Sequence, residues 1–396
     1  MQTAVDFHDR GAIMKILVTG GAGYIGSHTI KKLGRKGHEL LTIDNLSTGH
    51  REAVLFGGFK KGDIRDPVFL KRVFSAFRPQ ALIHFAASAI VPESVTNPLL
   101  YWENNISGTV TLLRAAVEHR VKMAVFSSSA AVYGEPEKIP VTEGHPQRPA
   151  NPYGMTKLVG ERILADCDLA HGLKSVCLRY FNASGVDPEG ELVEDREVET
   201  HLIPLVLKVA ASHERSRMAA KAREQSRLRP VKQAGCPALL RATSDSQSSG
   251  AGSREQGAKA RPMRHAPSAM RSVVHIFGND YPTPDGTCVR DYIHVNDLAQ
   301  AHILALEWLS REKRSGAFNL GNGRGYSVRQ VVETARKVTG LPIPSRDVPR
   351  RPGDPAELVA GSEKIRKVLG WKPEIPELEK IISSSWNYFS RAGNGR

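Results

Sequence analysis

Two short stretches of this chain carry residues with chemistry to do. Tyr153 and Lys157 stand in Tyr-Gly-Met-Thr-Lys, so a helix there sets a phenol and an ammonium at i and i+4 on one face. Ile16-Leu-Val-Thr-Gly-Gly-Ala-Gly-Tyr-Ile-Gly26 is an apolar run that breaks into closely spaced glycines and resumes as a helix. A strand delivers a dinucleotide pyrophosphate to a helix N-terminus in this way, because backbone N–H groups and the helix dipole meet negative charge there. One segment is therefore suited to a nicotinamide cofactor. The other is suited to take a proton while that cofactor takes a hydride. Together they point to an enzyme.

Supporting residues sit at the right distances. Asp44 closes the apolar run Glu39–Ile43, 18 residues after Gly26. An acid there accepts hydrogen bonds from the adenosine ribose and repels a 2′-phosphate, which favours NAD over NADP. Ser127-Ser-Ser-Ala-Ala-Val-Tyr133 ends an apolar strand, and Ser129 precedes Tyr153 by 24 residues. A serine at that edge of such a sheet can bond a substrate hydroxyl. A tyrosine serving as base at neutral pH needs its pKa lowered by about 3 units, roughly 4 kcal/mol. The Lys157 ammonium and a positive nicotinamide ring both favour the phenolate, and Lys157 can also bond the nicotinamide ribose.

The elements that must position these groups alternate. Lys15–Thr19, Glu39–Ile43, Phe59–Asp63, Ala81–Phe85, Lys122–Ser127 and Ser175–Arg179 read as strands. Helices are expected at Ser27–Leu33, Pro67–Phe77, Leu99–Arg120 and Tyr153–His171. This pattern predicts an α/β fold with a doubly wound, Rossmann-type parallel sheet covered by helices on both faces. Residues 14–181 would form this domain after an N-terminal extension, 1–13. Residues 182–396, with irregular spacing and more Pro and Gly, would form mainly a smaller C-terminal α/β substrate lobe with a return segment to the first domain.

Composition narrows the class. The 396 residues are 40% hydrophobic and 24% charged, as in a globular protein. No apolar run of about 18 residues suggests a membrane span. Met1–Ile13 lacks an apolar signal core, and four cysteines without C-x-x-C spacing fit a reducing cytoplasm. The histidines form no metal-ligand motif, so no metal is expected. Ala211–Ser272 holds 13 Lys/Arg against 4 Asp/Glu, a net +9 of the chain's +14, and has no Phe, Trp, Tyr or Ile. It reads as a disordered basic insertion, with Ala211–Leu228 suited to a basic helix. With the charge so localised, neither nucleic acid nor membrane is expected as a partner.

The motifs as a set resemble the UDP-glucose 4-epimerases of the extended short-chain dehydrogenase/reductase family. They are Thr19-Gly-Gly-Ala-Gly-Tyr-Ile-Gly-Ser-His28, Asp44-Asn45, Gly62-Asp-Ile-Arg65, His84-Phe-Ala-Ala87, Asn104-Asn105, Ser127–Gly134 and Tyr153–Lys157. Arg179-Tyr-Phe-Asn182, Ile276-Phe-Gly-Asn-Asp-Tyr281, Val289-Arg-Asp-Tyr-Ile-His294 and Arg350-Arg-Pro-Gly-Asp354 complete them. The resemblance covers about Met14–Phe389 apart from the insertion. It implies interconversion of UDP-galactose and UDP-glucose through a 4-keto sugar with tightly bound NAD. It also implies a homodimer built on the Leu99–Arg120 and Tyr153–His171 helices. Cofactor contacts would come from Gly20, Gly23, Tyr24, Ile25, Gly26, Asp44, Asn45, Asp63, Ile64, Phe85, Ala86, Asn104, Tyr153, Lys157 and Tyr180. Tyr153 would take the proton from the sugar 4-hydroxyl, with Ser129 holding or relaying it. Asn182, Arg290 and Arg351 would meet the diphosphate, Asp354 the uridine ribose, and His275 and Phe277 the uridine pocket. His201, Leu202, Tyr292 and Leu358 complete the implied substrate set.

Two positions depart from the family pattern. Ala89 stands where some members carry a lysine that contacts the cofactor phosphate. Leu358 stands where a bulky tyrosine would exclude N-acetyl groups. UDP-N-acetylglucosamine, UDP-glucuronate and UDP-xylose 4-epimerases therefore stay open, as does a non-catalytic dinucleotide-binding protein inactivated by the insertion. Dehydratases of this fold carry Asp-Glu or Thr-Glu where this chain has Ala130-Ala131, so dehydration would lack its acid–base pair.

Overall fold

Apolar stretches of four to seven residues separated by amphipathic helices build the larger part of the molecule. The computed structural model describes residues 12–194, 199–227, 273–351 and 353–392. The N-terminal half runs β1 (Lys15–Thr19), α1 (Tyr24–Arg35), β2 (Glu39–Asp44), β3 (Gly58–Lys61), α2 (Pro67–Phe77) and β4 (Ala81–His84). It continues through α3 (Val91–Thr96), α4 (Pro98–Tyr101), α5 (Gly108–Glu118), β5 (Met123–Ser129), α6 (Pro152–His171) and β6 (Lys174–Tyr180). The second half contains β7 (Asn182–Ser184), α7 (Leu202–Arg227), β8 (Val274–Phe277), β9 (Val289–His294), α8 (Val295–Glu312) and β10 (Gly316–Leu320). After these come β11 (Gly325–Ser327), α9 (Val328–Thr339), β12 (Ser345–Val348), β13 (Glu357–Leu358), α10 (Glu363–Leu369) and α11 (Leu378–Ala392).

Seven parallel strands form the main sheet in the order β10-β6-β5-β4-β1-β2-β3. The order reverses beside β1, and the ligand crevice of a doubly wound sheet opens at such a point. The edge strand β10 comes from the second half of the chain, and α8 lies beside α1 on one face. Apolar layers fill both faces of the sheet: Ile16, Val18, Ile83 and Val125 on one side, Leu17, Leu82, Ala124 and Phe126 on the other. The smaller lobe has β7, β11 and β13 paired around β9, with β8 and β12 forming a separate parallel pair. Its core joins α7, α9 and α11 through Val206, Leu207, Val331 and Ile381.

One helix differs from the sequence expectation. Leu99–Arg120 is interrupted: a π-helical turn spans Trp102–Ser107 between α4 and α5. The wider turn re-aims Asn104 and Asn105 toward Ser88, a use typical of π-turns at functional sites. Helix α7 runs through Ala211 to Arg227, so the start of the expected insertion is ordered as helix. The apolar face of Ile203, Val206, Leu207 and Ala210 anchors its first turns. The rest of that stretch, 228–272, lies outside the described residues, as does most of the expected extension, 1–11. No helix among the described residues is long and apolar enough to cross a membrane.

Candidate active site

The glycine turn after β1 is shaped by close backbone contacts. Gly20 has φ +72°, and a Cβ there would lie 2.4 Å from the Ala86 nitrogen. A Cβ on Gly26 would lie 2.4 Å from the Gly20 carbonyl, so the helix can start this close only with glycine. On Gly23 the same atom would meet only the Gly20 carbonyl, at 3.4 Å. This open side faces the first turn of α1, which begins at Gly23 without a side-chain cap. Its outward N–H groups suit a pyrophosphate.

Asp44 braces the turn from β2. Its Oδ2 accepts from the Ala22 N–H at 3.0 Å and its Oδ1 from the Leu46 N–H at 2.9 Å. Burial raises its carboxyl pKa, and these two donors act against that rise. Asn45 donates to Asp63 at 3.4 Å, and the Arg65 fork holds the Asp63 carboxyl down at about 2. Ile64 is buried beside it, while Phe85 stacks on His302 at 4.7 Å. Tyr24 donates its hydroxyl to the Gly185 carbonyl at 2.6 Å, and Ile25 packs on the core. Their share in a cofactor site is therefore mainly backbone. Beneath the turn, His84 bridges Thr19 at 2.7 Å and Thr109 at 2.9 Å. Full burial lowers its imidazole to about 3, so it acts as a neutral strut.

The groups expected to handle the proton lie on α6 and the end of β5. Asn151 caps α6 by accepting from the Gly154 N–H at 2.9 Å, and Pro152 opens the first turn. This fixes Tyr153 and Lys157 on one face. Tyr153 is 7% exposed, with its ring edge-on to Tyr101 at 6.5 Å. The Lys157 ammonium donates to the Ser127 carbonyl at 2.8 Å and lies 5.7 Å from the centre of the Tyr153 ring. Burial lowers that ammonium from 10.5 to about 8, still charged at neutral pH. Ser129 ends β5 half-buried, and its hydroxyl accepts from the Ala131 N–H at 3.1 Å. The Tyr180 hydroxyl meets Ser127 Oγ at 2.7 Å, next to the lysine's carbonyl anchor. Asn105 ties this region to the cofactor side by donating to the Ser88 carbonyl and to Thr156 Oγ1, at 3.0 and 3.1 Å.

The expected substrate residues lie on the smaller lobe and its junction with the sheet. Arg290 on β9 is 3.6 Å from Asp354, and Asn182 stands opposite Tyr292 in the β7–β9 register. Leu358 pairs in register with Arg290 and packs on the cluster of Ala130, Val132, Tyr133 and Phe181, next to Ser129. The Arg351 guanidinium lies 3.8 Å from the centre of the Phe277 ring, whose other neighbour is His275 at 6.4 Å. His201 bonds Glu194 at 2.6 Å, and Leu202 starts α7 against the lobe's core. Tyr292 lies within the smaller lobe. It is 4% exposed within the apolar cluster of Ile203 and Val331, because β9 is enclosed by its three neighbours. Its ring is a core element in this structure.

Among the described residues two groups have the spacing to hold a metal. Asp187, Glu189 and Glu191 surround the Lys31 ammonium at 2.6, 3.0 and 2.5 Å, so a side-chain cation already fills that place. Glu194, Glu199 and His201 form the second group, closed by the Glu194–His201 bond. Sequence reasoning missed His84, Asn105, Ser127, Glu161 and Arg179 as site residues. His84, Asn105, Ser127 and Arg179 stand inside the motifs quoted above, and Glu161 lies one helical turn beyond Lys157.

Comparisons with known proteins agree with this architecture. The NAD dependent epimerase/dehydratase family matches residues 16–227, and a GDP-mannose 4,6 dehydratase family matches residues 253–384. The UDP-glucose 4-epimerase of Halalkalibacterium halodurans is 46% identical over 96% of this chain and 97% of its own. The crystal structure of UDP-glucose 4-epimerase from Brucella ovis in complex with NAD is 41% identical with a TM-score of 0.77, covering 95% of this chain and 98% of that one. The enzyme from Bifidobacterium longum in complex with NAD+ and UDP is 35% identical with a TM-score of 0.76, over 96% of this chain and 100% of that one. The chain belongs to the NAD-dependent epimerase/dehydratase family, within its UDP-glucose 4-epimerase branch.

Proposed function

We propose that this chain interconverts UDP-galactose and UDP-glucose by inverting C4 of the sugar, with NAD as its cofactor. The observation that carries the proposal is the buried Tyr153–Lys157 pair, its ammonium anchored on the Ser127 carbonyl two residues before Ser129, in a protein whose glycine turn after β1 is braced by Asp44. The relatives reported above are UDP-glucose 4-epimerases, one in complex with NAD and one with NAD+ and UDP. The open side of Gly23, the first turn of α1 and Asp44 would hold the pyrophosphate and ribose of the dinucleotide. NAD held there would supply the redox chemistry, a hydride acceptor and donor for C4.

The protein's own groups do the rest. Tyr153 removes the 4-hydroxyl proton, and Ser129 holds that oxygen in place. The Lys157 ammonium offsets part of the roughly 4 kcal/mol needed to form a phenolate at neutral pH. A ketone results at C4. Arg290 and Arg351 hold the diphosphate while the sugar turns, and guanidinium groups suit such bidentate contacts. Tyr153 then returns the proton to the oxygen on the inverted carbon. The alanines at 130 and 131 offer no acid or base for dehydration.

Leu358 is smaller than tyrosine and sits half-buried against the cluster that holds Ala130, the residue after Ser129, which favours N-acetylhexosamine substrates as a second activity. Exposed Val95, Leu99 and Leu169 on α3, α4 and α6 support a symmetric homodimer. A reducing cytoplasm fits the cysteines described above, three of which are free. Incubating the purified protein with UDP-galactose and assaying UDP-glucose tests the proposal. Conversion by the native chain and none by Tyr153→Phe is expected. Near-normal conversion by Tyr153→Phe would show that another group is the base.

A further inference from the structure

Helix α6 presents a third ionisable group on the same face as Tyr153 and Lys157. Glu161 lies one turn beyond Lys157, is 9% exposed, and has no part in the chemistry described so far. Its Oε1 accepts from the Ser128 hydroxyl at 2.5 Å and from Arg179 Nε at 2.9 Å, and its Oε2 accepts from the other Arg179 arm at 2.5 Å. Arg179 reaches on to the Tyr133 hydroxyl at 2.9 Å, which donates to Asn319 on β10 at 2.6 Å. Consecutive residues of β5 are thus gripped by α6: the Ser127 carbonyl by Lys157 and the Ser128 hydroxyl by Glu161. Ser129 follows directly.

Charge points the same way. Facing Lys157 or Glu161 are the Tyr153 phenol, the Phe126 ring and the Ser127 carbonyl, with Tyr180 behind that carbonyl. His84 on β4 is kept neutral by burial, and the Cys177 thiol on β6 and the Tyr101 phenol are both raised. Arg179 is the only other cation in this set and is paired with Glu161. Among the described residues Glu161 is the carboxylate that acts on Lys157, opposing the effect of burial.

We propose that Glu161 is a positioning residue for the proton-transfer pair: held by Arg179 and Ser128, its carboxylate fixes α6 against the end of β5 and places negative charge one helical turn from the Lys157 ammonium. The proposal rests on the epimerase reading for its kinetic consequence, whereas its electrostatic consequence stands without it.

The test compares native protein, Glu161→Gln and Glu161→Asp. Two quantities are read: the pH profile of UDP-galactose epimerisation, and the titration of Lys157 followed by NMR of 13Cε-labelled lysine. With Gln, the alkaline limb of kcat and the Lys157 titration should both move down by about 1 pH unit. With Asp, which keeps the charge but is shorter, the limb should stay in place while kcat falls. If Glu161→Gln does not fold, Arg179→Gln gives the test with the opposite sign, because the unpaired carboxylate should move the titration up. A loss of kcat equal at every pH, with an unmoved Lys157 titration, would overturn the proposal. Absence of epimerisation by the native protein would instead overturn the epimerase reading. The NMR titration would then decide the role of Glu161 alone.

Discussion

Lys157 should make the protein less stable, and replacing it by methionine should reveal how much. The ammonium is 4% exposed and is held at about 8 against an ordinary 10.5. At about 1.4 kcal/mol per pH unit, this difference corresponds to roughly 3 kcal/mol of native-state cost. Methionine of similar length removes that cost but leaves the Ser127 carbonyl without its donor at 2.8 Å, a loss of about 1–2 kcal/mol. Lys157→Met is therefore expected to stabilise the fold by about 1–2 kcal/mol at pH 7 while losing catalytic turnover, the usual conflict between stability and activity. The pH dependence provides a second check. Between pH 8 and 10.5 the native state binds fewer protons at Lys157 than the unfolded chain, so rising pH stabilises the wild type and not the variant. The variant's advantage should be full below pH 8 and disappear toward pH 10.5. Urea unfolding at pH 7, 8.5 and 9.5 without added nucleotide measures this, with buried Trp371 as a fluorescence reporter. A variant less stable than wild type at pH 7, or an advantage unchanged between pH 7 and 9.5, would refute the reasoning.

Three further outcomes are expected. Asp291 is fully buried and accepts from the N–H groups of Asn322, Gly323 and Ala360 at 2.8, 2.9 and 3.2 Å. Asp291→Asn would turn an amide NH2 toward at least one of these donors and should lower stability by about 1–3 kcal/mol in urea unfolding. Leu358→Tyr should abolish turnover of UDP-N-acetylgalactosamine while retaining that of UDP-galactose, and equal losses for both would remove Leu358 as the size filter. Light scattering at micromolar concentration should give a dimer mass, and Leu99→Glu with Leu169→Glu should shift it to the monomer. A native chain that is already monomeric would refute the dimer.

The sequence made the local parts of the site legible and hid the long-range ones. The glycine turn, the Asp44 spacing and the Tyr153–Lys157 pair are local patterns, each set by the geometry of one strand or helix. The anchor of Lys157 is a main-chain carbonyl 30 residues away, which no side-chain motif announces. Asn105 gains its role from a π-turn, and helical spacing alone does not foretell one. The strand β10 completes the sheet from across the molecule, where a short apolar run cannot declare its neighbour. Helix α7 runs on past Ala211 as the basic composition allowed, and the apolar turns before that residue propagate it. Tyr292 shares a strand face with Arg290, yet only the packing of β9 reveals that its ring belongs to the core.

The most direct test of the central claim follows the hydrogen at C4. UDP-galactose deuterated at C4 should be converted by the native protein in ordinary water to UDP-glucose that still carries deuterium at C4, because the same hydrogen leaves and returns within the site. Tyr153→Phe should give no product. Conversion with loss of the label to solvent, or no conversion by the native chain with NAD bound, would contradict a C4 epimerisation that uses enclosed redox chemistry with Tyr153 as its base.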